Sequence, residues 1–366
     1  MKKILITGGH VTPALAVIAE LRRHTWEIVY VGRTHALEGD WSESVEYRLV
    51  HAAGIKFIPI TTGRLQRRMT LQGIVSLCKI PLGFLMALTI LIREKPAVVL
   101  SFGGYVAVPV ALAAAVFNIP VVTHEQTRAP GLANRIIATL ARFVCLAWSD
   151  MEHNLPAAKT VITGNPIRPA VFQVDKKLDV LCDKPVVYIT GGSLGSHSIN
   201  ELFMGVIPEL TQDFTVIHQC GRSKFNDFQK LIRIRELLPE AQKNRYLPVE
   251  FVNDEYIGWV YKTADIIVSR AGANTLTEII VLAKPTLFIP LPWSGSREQE
   301  KNAQFLVSRG AALMVSQTGL TEKTILAFIH KLFKERNSLQ KELKHLASTL
   351  VTDSARRIVA VVESVQ

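Results

Sequence analysis

The stretch Ile4–Gly9 reads ILITGG, and the stretch Val187–Gly192 repeats it almost unchanged as VYITGG. Each copy begins with a short apolar run, which predicts a buried strand, and leads through two glycines into a helical pattern. A strand, a glycine turn and a helix start can together face a phosphate, because the free N–H groups at a helix start favour an anion. Two such openings about 180 residues apart predict two similar doubly wound α/β domains.

The rest of the chain alternates short β-branched runs with longer helical patterns, which predicts βαβ units and parallel strands. The strands predicted for the first half are Lys3–Thr7, Trp26–Val31, Lys56–Pro59, Ala97–Ser101, Val121–His124 and Phe143–Ala147, with helices that include Pro13–His24, Leu82–Arg93 and Val106–Phe117. The strands predicted for the second half are Val186–Thr190, Thr215–Gln219, Glu250–Val252, Ile266–Ser269 and Thr286–Pro290. We expect domains at 1–165 and 166–351, a linker at Pro166–Lys184, and a tail helix at about 352–366 that packs onto the first domain.

Composition and charge limit the class of protein. A length of 366 residues suits two domains, and an apolar share of 48% with a charged share of 20% is typical of a folded globular protein. The net charge of +11 favours an anionic partner such as nucleic acid, a phosphorylated substrate or an anionic lipid surface, although basic residues also serve solubility alone. The four cysteines lie far apart and no signal peptide is visible, so we expect a reducing cytosol without a zinc site or disulfides.

A strongly apolar segment, Ile74–Ile92, is long enough at 19 residues to span a bilayer. Pro81 interrupts it, so we expect a helix over Leu82–Arg93 that is buried or touches a membrane. The basic residues around it, opposed by the single acid Glu94, are Lys56, Arg64, Arg67, Arg68, Lys79, Arg93 and Lys95. Its apolar side chains are Leu82, Phe84, Leu85, Leu88 and Leu91. The one-sided charge predicts an interfacial surface on an anionic leaflet, and the alternative is a buried helix beside a solvated basic loop.

The most informative stretch for a site is Ser269–Pro290, SRAGANTLTEIIVLAKPTLFIP. Small residues open a helix directly after a strand, which leaves N–H groups within reach of a phosphate. The residues of this opening are Gly272, Ala273, Asn274, Thr275, Leu276 and Thr277. Glu278 follows, roughly 9 Å along the helix axis from Gly272, where a carboxylate can accept the hydroxyls of a ribose. The spacing suits a nucleoside diphosphate, and it suits equally a tight turn followed by a solvated glutamate.

Two further loops carry weaker signals. Gly191–Ser196 follows a strand but resembles G-x-G-x-x-G only loosely, and no acidic residue stands where a dinucleotide site needs one. Arg168, in GNPIR, can clamp a diphosphate with its guanidinium fork or can be a surface residue of the linker.

Loops of the first half also follow predicted strands, and ligands bind at the carboxyl ends of parallel strands. We therefore expect His10, Gly104, Tyr105 and Glu125 to converge on one cleft. His10 suits a general base, and the alternative is a histidine bonded into its own loop.

Seven motifs together resemble the MurG family of glycosyltransferases, which belongs to glycosyltransferase family 28. They are GGHVTPALA, SFGGYVAVPVALAA, HEQTRAPGLANR, TGNPIR, ITGGSLGS, EFV and SRAGANTLTEI, in the family's order and over nearly the whole chain. The resemblance implies a GT-B fold: two Rossmann-like, doubly wound parallel-sheet domains with a cleft between them. It implies inverting transfer of N-acetylglucosamine from UDP-N-acetylglucosamine to the 4-hydroxyl of N-acetylmuramoyl-pentapeptide on undecaprenyl diphosphate, which makes lipid II from lipid I in peptidoglycan synthesis. The enzyme would act peripherally at the cytoplasmic face of the inner membrane, without metal, other cofactor or nucleic acid.

The resemblance also implies roles for single residues. The donor's diphosphate would meet Ser193 and the helix start Gly272–Thr277, with Arg168 beside it, while Glu278 would bind the ribose. Val252 would present its backbone to the uracil, and Gln299 would contact the sugar hydroxyls.

In the first domain, the resemblance assigns Thr7, Gly8 and Gly9 to the sugar or the acceptor diphosphate, and Thr127 to the donor. Catalysis would rest on His10, which takes the proton from the attacking 4-hydroxyl, and on Glu125. The acceptor would contact Gly103, Gly104 and Tyr105.

The sequence departs from the family's pattern most clearly at its first glycine loop. The family usually has GGGTGGH there, whereas this chain has TGGH, about four residues fewer, which removes N–H donors. Thr127 stands where asparagine is usual, and Glu298 stands where some members carry glutamine. Two other functions therefore stay open: a related transferase with another UDP-sugar or lipid acceptor, and a catalytically impaired protein that binds a UDP-sugar.

Overall fold

The computed structural model describes residues 2–35, 43–63, 71–128, 130–149, 155–192, 195–222, 224–294 and 297–365, and for residues 71–78 it describes the backbone alone. The chain forms two compact units. The first comprises Met1–Arg168 together with Val351–Gln366, and the second comprises Pro169–Leu350. The predicted site residue Ser193 and the predicted surface residues Arg64, Arg67 and Arg68 lie outside the described residues.

A parallel sheet forms the centre of the first unit. Its strands are β1 Lys2–Thr7, β2 Trp26–Gly32, β3 Lys56–Pro59, β4 Val98–Ser101, β5 Val121–Glu125, β6 Phe143–Leu146 and β7 Thr160–Ile162. Its helices up to the unit boundary are α1 Val11–Leu21, α2 Val45–Ala52, α3 Leu71–Glu94, α4 Ala107–Val116 and α5 Leu132–Leu140. The strand order β3-β2-β1-β4-β5-β6-β7 reverses its direction between β1 and β4, so the loops after these two strands meet at the ligand-binding edge of the sheet.

The second unit repeats this plan. Its strands are β8 Val186–Thr190, β9 Thr215–Gln219, β10 Tyr246–Val249, β11 Ile266–Ser269, β12 Thr286–Phe288 and β13 Leu313–Met314. Its helices are α6 His197–Met204, α7 Ile207–Asp213, α8 Asp227–Leu237, α9 Glu240–Lys243, α10 Asp254–Thr263, α11 Ala273–Val281, α12 Glu298–Val307 and α13 Glu322–Ser348. The order β10-β9-β8-β11-β12-β13 reverses between β8 and β11, which brings the loops after those strands together.

The central strands are buried along their whole length, as strands covered by helices on both faces must be. Every residue of β8, β9 and β11 is buried. Their near-continuous apolar sequences therefore mark them clearly, and the predicted bounds of these three strands are confirmed.

The helix predicted at Leu82–Arg93 is longer than expected. α3 starts at Leu71 and runs through Pro81. A proline removes only one helical hydrogen bond, and tertiary packing stabilises the rest of the helix. Gly83 packs so closely on Thr62 that an added Cβ would lie 2.6 Å from the threonine Cβ. Leu91 is buried, so its predicted place on an interfacial surface is wrong. Within the part of the chain that the structure describes, no helix is long and apolar enough to cross a membrane.

Edge strands account for the other errors of the prediction. The strand expected at Glu250–Val252 is wrong, because β10 ends at Val249 and contains Pro248, which an edge strand tolerates. β10 was therefore missed, and so were β7 and β13, which lie at sheet edges and have only three and two residues.

The helix α14, Ser354–Ser364, belongs to the first unit although it follows the whole of the second in sequence. Its buried residues Ile358, Val359 and Val362 join the core that contains the apolar face of α1. Nδ1 of His24 lies 3.1 Å from a carboxylate oxygen of Glu363. The first unit is therefore completed by a distant segment of the chain.

Candidate active site

The α11 turn, residues 270–278, follows the central strand β11 in the second unit. Gly272 is the N-cap of α11 with extended backbone, and no side chain caps the helix. Backbone N–H groups in the first turn of a helix have no acceptor within the helix, and those of Ala273 and Thr275 lie there. The first turn carries no acidic residue. This end of the helix therefore favours an anion.

Glu278 lies one and a half turns further along α11 and is 5% exposed. The hydroxyl of Tyr261, on α10, donates to its Oε2 at 2.7 Å. The interpretation of Glu278 as a solvated helix residue is therefore wrong. Its carboxylate is held at a fixed position behind the helix start.

The glycine loop after β8 packs against the end of β9. Gly192 and Gly195 have φ values of +86° and +74°, which favour glycine. A Cβ on Gly195 would lie 2.1 Å from the carbonyl oxygen of Cys220, so the close approach also requires glycine. The predicted site residue Ser193 falls in this loop, outside the described residues.

Gln219, at the end of β9, is a buried residue that no sequence pattern marked as part of a site. Its Nε2 donates to Gly192 O at 2.9 Å, and its Oε1 accepts from the N–H of Val252 at 3.1 Å. Gln219 therefore connects the glycine loop to the segment predicted to contact a uracil. The N–H of Val252 is already hydrogen-bonded within the protein, so a ligand at this residue would bind its backbone carbonyl instead.

Gln299 is the second residue of α12 and holds the loop that follows β12. Its Oε1 accepts from the N–H of Leu291 at 3.0 Å, and its own N–H donates to Ser294 Oγ at 3.3 Å. Three residues along, buried Asn302 donates to the carbonyl of Ala271 at 3.0 Å, which ties α12 to the α11 turn.

The glycines of the first loop approach a neighbouring loop of the protein itself. Gly8 has a φ of +141°, and a Cβ there would lie 2.8 Å from the carbonyl carbon of Phe102. The N–H of Gly9 donates to Gly103 O at 3.0 Å, and Gly104 lies so near that a Cβ on it would be 3.3 Å from Gly9 N. The short loop therefore closes onto the loop after β4, and the Gly9 amide is used within the protein.

His10 stands at the N-cap position of α1 but its side chain makes no capping bond. Its Nδ1 lies 3.0 Å from the carbonyl oxygen of Phe102, and a carbonyl oxygen only accepts. Nδ1 therefore carries the proton and Nε2 holds the lone pair. This geometry leaves Nε2 as the atom able to take a proton.

Glu125, at the end of β5, is 1% exposed and accepts three hydrogen bonds. Thr127 donates to Oε1 through its N–H at 2.8 Å and its hydroxyl at 2.7 Å, and Asn134 donates to Oε2 at 2.5 Å. The carboxylate thereby holds the loop after β5 against α5. The hydroxyl of Thr127 points to Glu125.

Tyr105 follows the Gly103–Gly104 pair, and its hydroxyl is held by Arg33, which directly follows β2. The guanidinium of Arg33 donates to the Tyr105 hydroxyl at 2.8 Å and forms an ion pair with buried Glu46 at 3.2 Å. Arg168, by contrast, is the last residue of the first unit before the boundary, three positions after the buried Asn165 in the sequence.

The fold and these loops define a class: an α/β protein of two doubly wound parallel-sheet units, each with a glycine turn at the switch point of its sheet. The model of the glycosyltransferase family 28 N-terminal domain matches residues 7–145, and that of the C-terminal domain matches residues 186–358. The chain belongs to glycosyltransferase family 28. The expected GT-B class of fold and the expected enzyme class, a glycosyltransferase, are thereby confirmed.

Relatives match along almost the whole chain. A Clostridium botulinum protein named UDP-N-acetylglucosamine--N-acetylmuramyl-(pentapeptide) pyrophosphoryl-undecaprenol N-acetylglucosamine transferase is 36% identical over 349 residues, 92% of each chain. A protein of the same name from Clostridium kluyveri is 33% identical and covers 99% of each chain. The crystal structure of Acinetobacter baumannii MurG superimposes with a TM-score of 0.71, at 27% identity and 100% coverage of both chains.

Proposed function

We propose that this chain transfers N-acetylglucosamine from UDP-N-acetylglucosamine to the 4-hydroxyl of undecaprenyl-diphospho-N-acetylmuramoyl-pentapeptide. The full-length relatives named for this transfer support the proposal. The observation that carries it is the α11 turn, where an uncapped helix start is followed by a buried carboxylate at the spacing of a nucleotide's phosphates and ribose.

The donor is proposed to bind along the carboxyl edge of the second sheet. Its diphosphate meets Ser193 and Gly272–Thr277, and its ribose hydroxyls donate to Glu278. The uracil N3–H donates to the carbonyl of Val252, since the N–H of that residue is bonded to Gln219. Gln299 contacts the sugar, and Arg168 with the helix dipole offsets the charge that develops on the leaving UDP.

The first unit is proposed to bind the acceptor and supply the base. Nε2 of His10 takes the proton from the attacking hydroxyl, because the bond from Nδ1 to Phe102 fixes the tautomer. Gly103, Gly104 and Tyr105 contact the acceptor, and Arg33 aims the Tyr105 hydroxyl. Glu125 serves catalysis by holding the loop that contains Thr127.

The test is to supply the purified full chain with UDP-N-acetylglucosamine and a lipid I analogue and to follow formation of the disaccharide by mass spectrometry. We expect turnover with this donor and much less with UDP-glucose or UDP-N-acetylgalactosamine. A preference for one of the other sugars supports the related transferase instead.

The short first loop favours a second candidate, a protein that binds a UDP-sugar without transferring it. The Gly9 amide is bonded to Gly103 and so is not available to an acceptor diphosphate. Donor binding in calorimetry without turnover supports this candidate. Insertion of about four small residues before Gly8 then tests the cause, because restored transfer identifies the shortened loop as the defect.

We propose peripheral binding to an anionic membrane through α3. Leu82, Leu85 and Ile92 are 49%, 59% and 57% exposed and share one face of the helix. Lys79, Arg93 and Lys95 supply positive charge nearby. Lys56 pairs with Glu94 at 2.7 Å, so Lys56 contributes less to the positive charge of this surface than the sequence predicts.

Vesicle sedimentation tests the membrane surface. Leu85→Asp is expected to release the protein from phosphatidylglycerol vesicles, while the wild type stays bound and neither binds phosphatidylcholine vesicles strongly. Leu237→Asp is the matched control, since Leu237 is 85% exposed on α8 of the second unit. Equal binding of the Leu85 and Leu237 variants contradicts the proposed surface.

A further inference from the structure

A buried arginine at the carboxyl edge of the second sheet has only neutral partners among the described residues. Arg270 directly follows β11 and is 5% exposed. Its Nη1 donates to the carbonyl of Ile289 at 2.8 Å. The two N–H groups of Nη2 are shared among three acceptors, Ser196 Oγ and Ser198 Oγ, both at 2.8 Å, and Gln317 Oε1 at 2.6 Å. No salt bridge to an acid forms within the described part of the chain.

The charge of this guanidinium persists in the folded protein. Burial lowers the pKa of Arg270 to about 10, so the group is protonated at neutral pH. Neutral oxygens accept hydrogen bonds from Nη1 and Nη2, but among the described residues they leave the positive charge without an anionic partner in a region of low dielectric. Buried charges in proteins are normally paired. An anion bound beside Arg270 would complete the pair.

The position of the guanidinium shows where that anion would lie. Ser269 is paired in register with Thr190 of β8 and Phe288 of β12, so Arg270 leaves the sheet between these strands. Ser196 is the N-cap of α6, and Gly272 is the N-cap of α11. The Arg270 side chain therefore contacts the start of α6 and lies two residues before the start of α11, and the dipole of each helix favours an anion at its start.

We propose that Arg270 is an electrostatic determinant for the donor's diphosphate, so that ligand affinity depends on the number of phosphate groups through this charge. The inference rests on the proposed function, because it takes the α11 turn as the diphosphate site. The alternative is a structural clamp in which the four hydrogen bonds only hold the loops together.

Gln317→Glu separates the two explanations without removing the arginine. The new carboxylate would stand where the amide oxygen now accepts at 2.6 Å, and it would neutralise the guanidinium while keeping the clamp. We expect UDP to bind roughly tenfold more weakly, UMP to be affected less, and uridine to change by less than about twofold. A clamp predicts unchanged or tighter binding of all three ligands.

Arg270→Lys and Arg270→Gln complete the experiment. Lysine keeps the charge and loses the fork, so it is expected to retain more UDP affinity than glutamine does, with uridine binding similar in both. Binding is measured by titration calorimetry on the full chain, and thermal unfolding checks that each variant folds. If the glutamine variant does not fold, the Gln317→Glu result decides alone.

The outcomes distinguish this inference from the proposed function. If the wild-type chain does not bind UDP, the proposed function fails. If the wild type binds UDP and Gln317→Glu binds it equally well, only the role of Arg270 is refuted. The same holds if Gln317→Glu lowers the affinities for UDP and for uridine by the same factor.

Discussion

Acidification to pH 5 is expected to destabilise the second unit because of one buried histidine, His218. Its Nε2–H donates to Asn200 Oδ1 at 3.2 Å, and its Nδ1 accepts from the Tyr246 hydroxyl at 3.2 Å. Burial lowers the pKa of His218 to about 3, and the attraction of nearby Asp227 offsets this only in part. In the unfolded chain the pKa is about 6.5. Below pH 6.5 the unfolded chain therefore binds a proton that the folded unit does not, and stability falls with pH.

The magnitude follows from the two pKa values. At pH 5 the site is 1.5 pH units below the unfolded pKa, which corresponds to a loss of about 2 kcal/mol. Because pH 5 lies above the folded pKa of about 3, the size of the loss depends only on the unfolded value. The loss levels off once the pH reaches the folded pKa.

The assay is urea unfolding of the full chain at pH 7 and pH 5, followed by hydrogen exchange resolved to β9. His218→Gln keeps a neutral donor for Asn200 and removes the titration, so the variant should lose about 2 kcal/mol less than the wild type between the two pH values. His330→Gln is the control, because His330 lies on α13 of the same unit with its side chain 50% exposed. An equal loss in wild type and His218→Gln would refute the reasoning.

Three other changes give separate expectations. Glu278→Ala should weaken UDP and uridine alike, by about 2 kcal/mol or roughly 30-fold in calorimetry, because it removes charged hydrogen bonds to the ribose; loss confined to UDP would contradict this. Gly103→Ala should destabilise the first unit by about 2 kcal/mol or more in thermal unfolding, since φ is +72° and the new Cβ would lie 2.2 Å from Asn134 Oδ1. Gly9→Ala is the control: its new Cβ would have nothing within 4 Å, so the variant should unfold like the wild type. Glu94→Gln should lower the free energy of unfolding by about 1 kcal/mol at pH 7, since hydrogen bonding to Lys56 lowers the pKa of Glu94. This difference in stability from the wild type should shrink as the pH falls below about 4.5, and a difference that stays constant would argue against the pairing.

Much of the fold was predictable because its strands are parallel and covered on both faces. Such strands are apolar at nearly every position, so β8, β9 and β11 stand out in a single sequence. Edge strands lack this signal, and β13 has only two residues. The path of α3 through Pro81 depends on tertiary packing, which local propensity does not report.

The site was predictable where its residues are close in sequence. The spacing from Gly272 to Glu278 follows from helix geometry alone, but the burial of Glu278 depends on Tyr261, which lies 17 residues away. The roles of Gln219 and Arg270 were not predicted because their partners lie 19 to 74 residues distant, in loops that only the sheet order brings together. For the first loop, the glycines were expected to approach a bound group, whereas Gly8 approaches Phe102.

The return of α14 to the first unit has a consequence for biosynthesis. On the ribosome, the strands of the first unit emerge early, but the helix that covers α1 is translated only after the entire second unit. The nascent first unit must therefore wait with the face of α1 that packs on α14 uncovered while the second folds. A chain released before Val351 would keep that surface open to chaperones and proteases, so quality control can detect late truncation in the part of the protein that was made first.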